Sequence, residues 1–274
     1  MRRLLAPFNI FTQVDRYLLI VSTLCFLGAV VRTILSLRAR IFPRGRFNFI
    51  AIALGFLFQT GFLTVRGHSL GRCPMTNLFE VLVFLAWAMA LVYMLVGPAY
   101  RLSLMGAFTA PLVFLLQGIA LITPIDVPHA RRGSPNPWLE FHGSMSLVAY
   151  GVFALACIAG IMYLVQERQL KTRQIHSIFY HLPPLTDLYA AITRLLWWGF
   201  ALYTLGLVRG FFVGQPLPRL QIFCAFGVWI LYAAILNGRH LSWFAPRRVA
   251  ALCIGGFAAA MTLLWGITFS TQVH

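Results

Sequence analysis

Acidic residues are nearly absent from this chain: six Asp and Glu stand against 22 Lys and Arg in 274 residues. So few and scattered carboxylates do not form the paired acid and base of a carboxylate-driven hydrolase. Cysteine is also uninformative as chemistry. There are five, with no C-x-x-C and no C-x-x-C-H, which excludes a dithiol redox centre and an acceptor for covalent haem. Cys25, Cys157, Cys224 and Cys253 lie in apolar runs, where cysteine packs as a small hydrophobe, and Cys73 alone sits in a connection. The phosphate-loop pattern G-x-x-x-x-G-K-[ST] and the zinc pattern H-E-x-x-H are both missing. No phosphate-loop, zincin or nucleophile-elbow chemistry is expected, and no catalysis by side chains alone.

What is abundant is apolar. Hydrophobic residues make up 60% of the chain, charged ones 10%, and the mean hydropathy is +0.81. A water-soluble fold cannot hide so much apolar surface, whereas a bilayer removes the need. Runs of spanning length occur at 17–37, 48–65, 77–98, 103–124, 142–165, 191–213, 220–238 and 248–270. The expected fold is therefore an all-α, polytopic transmembrane bundle of about eight spans. It forms one integral membrane domain over 1–274, with 1–16 as an N-terminal tail. No internal repeat is evident. Met1-Arg2-Arg3 opens like a signal peptide, but Pro7 and Asp15 break the apolar core and no small-residue cleavage site follows, so the first helix is expected to be retained. The net charge of +16 sits in short loops between apolar runs, which fits membrane topology and anionic headgroups rather than nucleic acid.

An even number of spans puts both termini on one side. One face carries Arg38, Arg40, Arg44, Arg46, Arg101, Arg168, Lys171, Arg173, Arg239, Arg247 and Arg248. The other carries Arg2, Arg3, Arg16, Arg66, Arg72, Arg131, Arg132 and Arg219, while Arg32, Arg194 and Arg209 lie near helix ends and fit either side. The excess marks the first face as cytoplasmic and both termini as outside. His68, His129, His142 and His274 then fall outside, and His176, His181 and His240 inside. His142 opens the fifth span and His274 follows the eighth, at one membrane level.

Two readings of that pair stand side by side. Neutral imidazole is a common metal ligand, and two of them saturate a haem iron from opposite faces. Arg72, Arg131, Arg132 and Arg219 share the same side and suit the geometry of propionates. Equally, interfacial histidines are often solvated or cap a helix. Trp138, four residues before His142, is either an interfacial anchor or a flat surface for a porphyrin. Trp197 and Trp198 are read as an aromatic-belt anchor at the cytoplasmic end of the sixth span. Glu80 looks like an intramembrane carboxylate, but Asn77-Leu78-Phe79-Glu80 has capping-box spacing. As a cap, it would tolerate glutamine almost without cost.

Several segments together are specific. Gly67-His68-Ser69-Leu70 and Pro74-Met75-Thr76-Asn77-Leu78-Phe79-Glu80, running into Phe84-Leu85-Ala86-Trp87, resemble the G-H-F-P-L-S-N-L-Y-E stretch of the CcsA/ResC-type cytochrome c assembly proteins. Phe141-His142-Gly143-Ser144 through Ala149-Tyr150 is similar to their helix opening, and Thr204-Leu205-Gly206-Leu207-Val208-Arg209-Gly210 to their T-L-G-x-x-x-G. Arg247-Arg248 and His274 fit as well. The resemblance spans about 60–274. It implies a membrane protein that moves haem b and presents it outside for attachment to apocytochrome c, alongside other assembly proteins of the cytoplasmic membrane. By that resemblance His142 and His274 match the two external axial ligands, and a further intramembrane histidine falls near Asn237 or His240. Between the sixth and seventh spans, however, only Gly214-Gln215-Pro216-Leu217-Pro218-Arg219 stands where the family carries its WWD segment. That departure points to the HemX-like branch. The rivals are a regulatory or scaffolding membrane protein without haem, and a small-solute permease relying on Gln59, Thr60 and Gln117.

Overall fold

A computed structural model describes residues 6–39, 46–75, 77–97, 105–122, 136–172, 184–212 and 219–273. Among these the chain forms eight helices and no strand: α1 (Ala6–Ala39), α2 (Arg46–Leu70), α3 (Leu78–Val96), α4 (Met105–Ile122), α5 (Pro137–Thr172), α6 (Leu185–Phe211), α7 (Arg219–His240) and α8 (Pro246–Val273). All eight are long and apolar enough to cross a membrane. Each falls on one of the expected spans. Residues 6–16, read as a tail, belong to α1.

Two boundaries differ in ways that matter. At 36 residues, α5 extends about 54 Å at 1.5 Å per residue, well beyond a hydrocarbon core of ~30 Å. Its projecting end is held by charge: Lys171 Nζ pairs with Glu167 at 2.7 Å one turn away, and Arg247 of α8 reaches the same carboxylate at 3.6 Å. The other difference is α6, which begins at Leu185. Trp197 and Trp198 therefore lie near the middle of that helix, exposed on its outer face, and not at its end. The belt reading of this pair is corrected accordingly.

The apolar windows of α3 and α5 are 72% and 78% buried, against 22% for α1, α2 and α7. The first pair is the core and the others face lipid. Small residues permit the approach, as membrane packing requires. A Cβ on Gly151 of α5 would stand 3.0 Å from Ala88 of α3, and one on Gly160 would stand 3.0 Å from the Ala250 carbonyl of α8. Around this core α5 packs on α6 and α8, and α7 on α6 and α8; likewise α1 packs on α2 and α4, and α3 on α2 and α4.

That matching neighbour pattern is a tandem repeat, contrary to the sequence reading. Gly55-Phe56-x-x-x-Thr60 on α2 recurs as Gly199-Phe200-x-x-x-Thr204 on α6, and Val65-Arg66-Gly67 as Val208-Arg209-Gly210. The contacts recur too. Phe56 stacks on Trp87 of α3 at 5.6 Å and Thr60 accepts that indole N–H at 2.9 Å. Phe200 lies 5.3 Å from Trp229 of α7 and Thr204 accepts its N–H at 3.0 Å. Phe26 of α1 lies against Gly55 as Phe153 of α5 lies against Gly199. Helices α1–α4 and α5–α8 are two copies of one four-helix unit.

The glycine in each copy is needed for space. A Cβ on Gly199 would stand 2.5 Å from the Phe153 ring, which cannot retreat because Tyr232 stacks on it at 3.6 Å. Gly199→Ala should therefore cost about 1–3 kcal/mol through overpacking. At Gly28, where nothing lies within 4 Å, Ala should be neutral or stabilising by up to about 1 kcal/mol. Reversible unfolding in mixed micelles distinguishes the two, and equal effects at both positions would refute the packing account.

Candidate functional site

The amino-terminal end of α5 is built by local sequence. Asn136 caps the helix, its Oδ1 accepting the Trp138 N–H at 3.1 Å, and Pro137 takes the first helical position, where a missing N–H costs nothing. Starting there puts Trp138 and His142 one turn apart, so His142 lies in the second turn and does not open the helix. The imidazole is half-buried against α6, with Nδ1 2.7 Å from the Gly206 carbonyl. A carbonyl oxygen only accepts, so Nδ1 carries the proton and the lone pair of the neutral ring is on Nε2. A carbonyl holding the second ring nitrogen is the usual support of a metal-ligating histidine.

The T-L-G-x-x-x-G stretch makes room for this ring. Gly206 supplies the acceptor, and a Cβ at Gly210 would stand 2.9 Å from Nδ1. One turn along α5, the buried Ser146 Oγ has no hydrogen-bond partner among the described residues. Between the two glycines Arg209 lays its guanidinium over the Trp138 ring at 5.0 Å. One face of Trp138 is thus already occupied by a cation, and the flat-surface reading applies to its other face at most.

The other sequence candidates are dispersed. Arg72 is half-buried in the α2–α3 connection, its N–H donating to the Gly67 carbonyl at 3.2 Å. Arg219 is exposed at the first position of α7, at the same end of the bundle as His142. His240 ends α7 at the opposite face, about 30 Å away at 1.5 Å per residue, and does not join His142. His274, Arg131 and Arg132 lie outside the described residues, as do His129, His176 and His181. Among the described residues no three His, Cys, Asp or Glu side chains cluster to hold a metal ion.

At this same end lies a buried ion cluster that sequence reasoning missed. Asn77 does cap α3, accepting the Glu80 N–H at 2.7 Å. The Glu80 carboxylate, however, also accepts from Arg66 Nε and Nη2 of α2, each at 3.4 Å, while Arg66 Nη1 pairs with Asp15 of α1 at 3.2 Å. The three are 1%, 9% and 2% exposed respectively. Glu80 is therefore more than a cap, and the expectation of a near-neutral glutamine is corrected. Beside it, burial first and then the Glu140 and Glu80 carboxylates push the Cys73 thiol up to about 11. A thiol held that high stays protonated at neutral pH, which disfavours nucleophilic chemistry there.

Gly67-His68-Ser69-Leu70-Gly71 does spell G-x-S-x-G, which the sequence reading passed over. Its context is not that of a nucleophile elbow, which needs a sharp strand-to-helix turn. Here Ser69 closes onto the Arg66 carbonyl at 2.8 Å and Gly71, at φ 61°, ends a helix in the left-handed conformation.

Removing one partner of a buried charge cluster leaves the rest undercompensated. Glu80→Gln should destabilise the protein by on the order of 2–3 kcal/mol, discounted because Asp15 remains. Thermal unfolding in detergent checks this, and an unchanged midpoint would return Glu80 to a purely capping role.

Residues 75–274 match the family model described as cytochrome C assembly protein. Among its relatives, the cytochrome c biogenesis protein CcsA of Prochlorococcus marinus (strain MIT 9301) is 24% identical, over 96% of this chain and 92% of its own. The protein of that name from Porphyra purpurea is 23% identical over 76% and 79% of the two chains, and that from Chlamydomonas reinhardtii 25% over 85% and 67%. The match covers α3 to α8 entire, including the His142 helix and the glycine pair that seats it. This chain belongs to the cytochrome c assembly protein family.

Proposed function

We propose that the chain holds haem b at the His142 end of the bundle, on the outer face of the cytoplasmic membrane, and presents it for attachment to apocytochrome c. The observation that carries this is the 2.7 Å bond from His142 Nδ1 to the Gly206 carbonyl. It fixes the tautomer whose free Nε2 ligates iron, as a metal-bound histidine requires. The family resemblance supplies His274 as the second axial ligand. In support, α8 runs antiparallel to α5 and packs against it, with Leu264 against the same cluster as Leu147, so the end of α8 returns to the His142 level. When bound, haem iron would give the site a cofactor that the side chains do not provide.

The rivals fare less well. Gln117 bridges Ser22 at 3.2 Å, Gln59 donates to the Val83 carbonyl at 3.0 Å, and Thr60 accepts from Trp87. The polar groups on which a permease would depend are used to join helices. The scaffold without haem, which the HemX-like departure favours, is what remains if no haem signal is found.

Orientation follows the cations. Arg32, ambiguous by sequence, lies over the Phe47 ring at 4.5 Å, at the end opposite His142. Arg194 falls in the same half of the bundle and Arg209 at the His142 end. The excess at the opposite face grows, which supports reading that face as cytoplasmic and both termini as outside.

A reporter active only outside the cytoplasm should work when fused after His274 and fail near Lys171. The reverse pattern would turn the His142 end inward and remove the outer haem site. Protein purified from haem-replete cells should show a low-spin spectrum. His142→Gly should convert it to a five-coordinate form that external imidazole restores. A preparation given haem in lipid that shows no His142-dependent Soret band would sink the ligand assignment, leaving the scaffold reading.

A further inference from the structure

We infer that Arg209 receives a carboxylate of the ligand held at His142, so that the site selects a porphyrin as its free acid over the same porphyrin esterified. The inference rests on the haem reading above, and it comes from comparing the two copies of the repeat.

Aligned across the Val-Arg-Gly triplets, one residue out of the register set by Gly55 and Gly199, Arg209 is the counterpart of Arg66. Aligned on Phe26 and Phe153, which occupy the same position against those glycines, His142 is the counterpart of Asp15. In the first copy, then, the arginine at the end of the second helix is paired with a carboxylate from the first helix, at 3.2 Å. In the second copy an imidazole occupies the place of that carboxylate. The first copy adds a second carboxylate, Glu80, seven residues before Trp87. Seven residues before Trp229 stands Ile222. Both acids that neutralise Arg66 are thus replaced in the second copy, one by a ligating side chain and one by an aliphatic.

Arg209 is left with no carboxylate partner among the described residues; it keeps only its position over Trp138. That position places it between the two glycines that seat His142, and the aromatic face holds the planar fork without using its N–H donors. A guanidinium prepared in this way, next to a ligating imidazole, suits a ligand with both a metal centre and a carboxylate. Arg66, the arginine of the first triplet, shows the closed alternative, in which the protein supplies the acid itself. A cation in the last turn of α6 also suits the helix dipole, but that effect does not distinguish an acid from an ester.

The test uses the full-length protein in lipid nanodiscs, titrated with haem and with haem dimethyl ester and followed by the Soret band. Wild type should bind the free acid about tenfold or more tightly than the ester, the scale of a charge-assisted hydrogen bond. Arg209→Gln should lose that preference by weakening haem binding while leaving the ester's affinity unchanged, and Arg209→Lys should recover part of it. Arg32→Gln, which removes an arginine lying over an aromatic ring at the opposite end of the bundle, should keep the full preference. If Arg209→Gln weakens acid and ester alike, its role is structural and the inference fails. It fails equally if the preference survives in Arg209→Gln, or if wild type has a His142-dependent Soret band but no preference; in these cases the haem reading stands. A wild type with no such band overturns both.

Discussion

Within the hydrocarbon of a bilayer no water is present to satisfy a donor or acceptor, so each polar group on a span has to find its partner in the protein. Much of this bundle is arranged by that requirement. Ser22 donates to the Gly55 carbonyl and takes a bond from Gln117, tying α1, α2 and α4. Two tryptophans give their indole protons to threonines one helix away. Asp15, Arg66 and Glu80 pair across three helices. The histidine of the candidate site follows the same rule, with a backbone carbonyl as its partner. A requirement of solvation thereby becomes a chemical specification, because the partner chosen for one ring nitrogen determines what the other can do.

Close approach is the second condition, and glycine meets it. At Gly55, Gly199 and Gly210 a side chain from the neighbouring helix occupies the space a Cβ would need. In the two copies the same geometry carries different chemistry. Where the first copy seals its helix ends with an ion cluster, the second has an imidazole on a backbone carbonyl and a guanidinium over Trp138, one turn before it.

The spans were legible because hydrophobic length survives almost any tertiary context. Their ends were less so. The start of α5 was signalled by Asn136-Pro137, but those residues sit in a stretch rich in proline and glycine that reads as a loop. The start of α6 was hidden because Thr186, Asp187 and Arg194 interrupt the apolar run, although the helix continues through them. His142 could be found from its placement, whereas its partner Gly206 is 64 residues away and has no side chain to mark it. The ion cluster was lost when Asp15 was assigned to a tail. The repeat escaped because it survives in only a few positions, and its register shifts by one residue between Thr60 and Val65 relative to the second copy.

The two copies are joined by unlike edges, α3 of the first to α5 of the second, with Ala88 against Gly151. Such a head-to-tail join does not close on itself; repeated, it would extend sideways through the membrane without limit. Each copy nevertheless carries both edges. On the free ones the positions equivalent to Ala88 and Gly151 are Ile230 and Leu24, 60% and 57% exposed. Bulky aliphatic groups there hold a neighbouring backbone at a distance and present a surface that acyl chains solvate well. With isoleucine and leucine where the joined edges carry alanine and glycine, the free edges are shaped for lipid rather than for the close approach of another helix backbone.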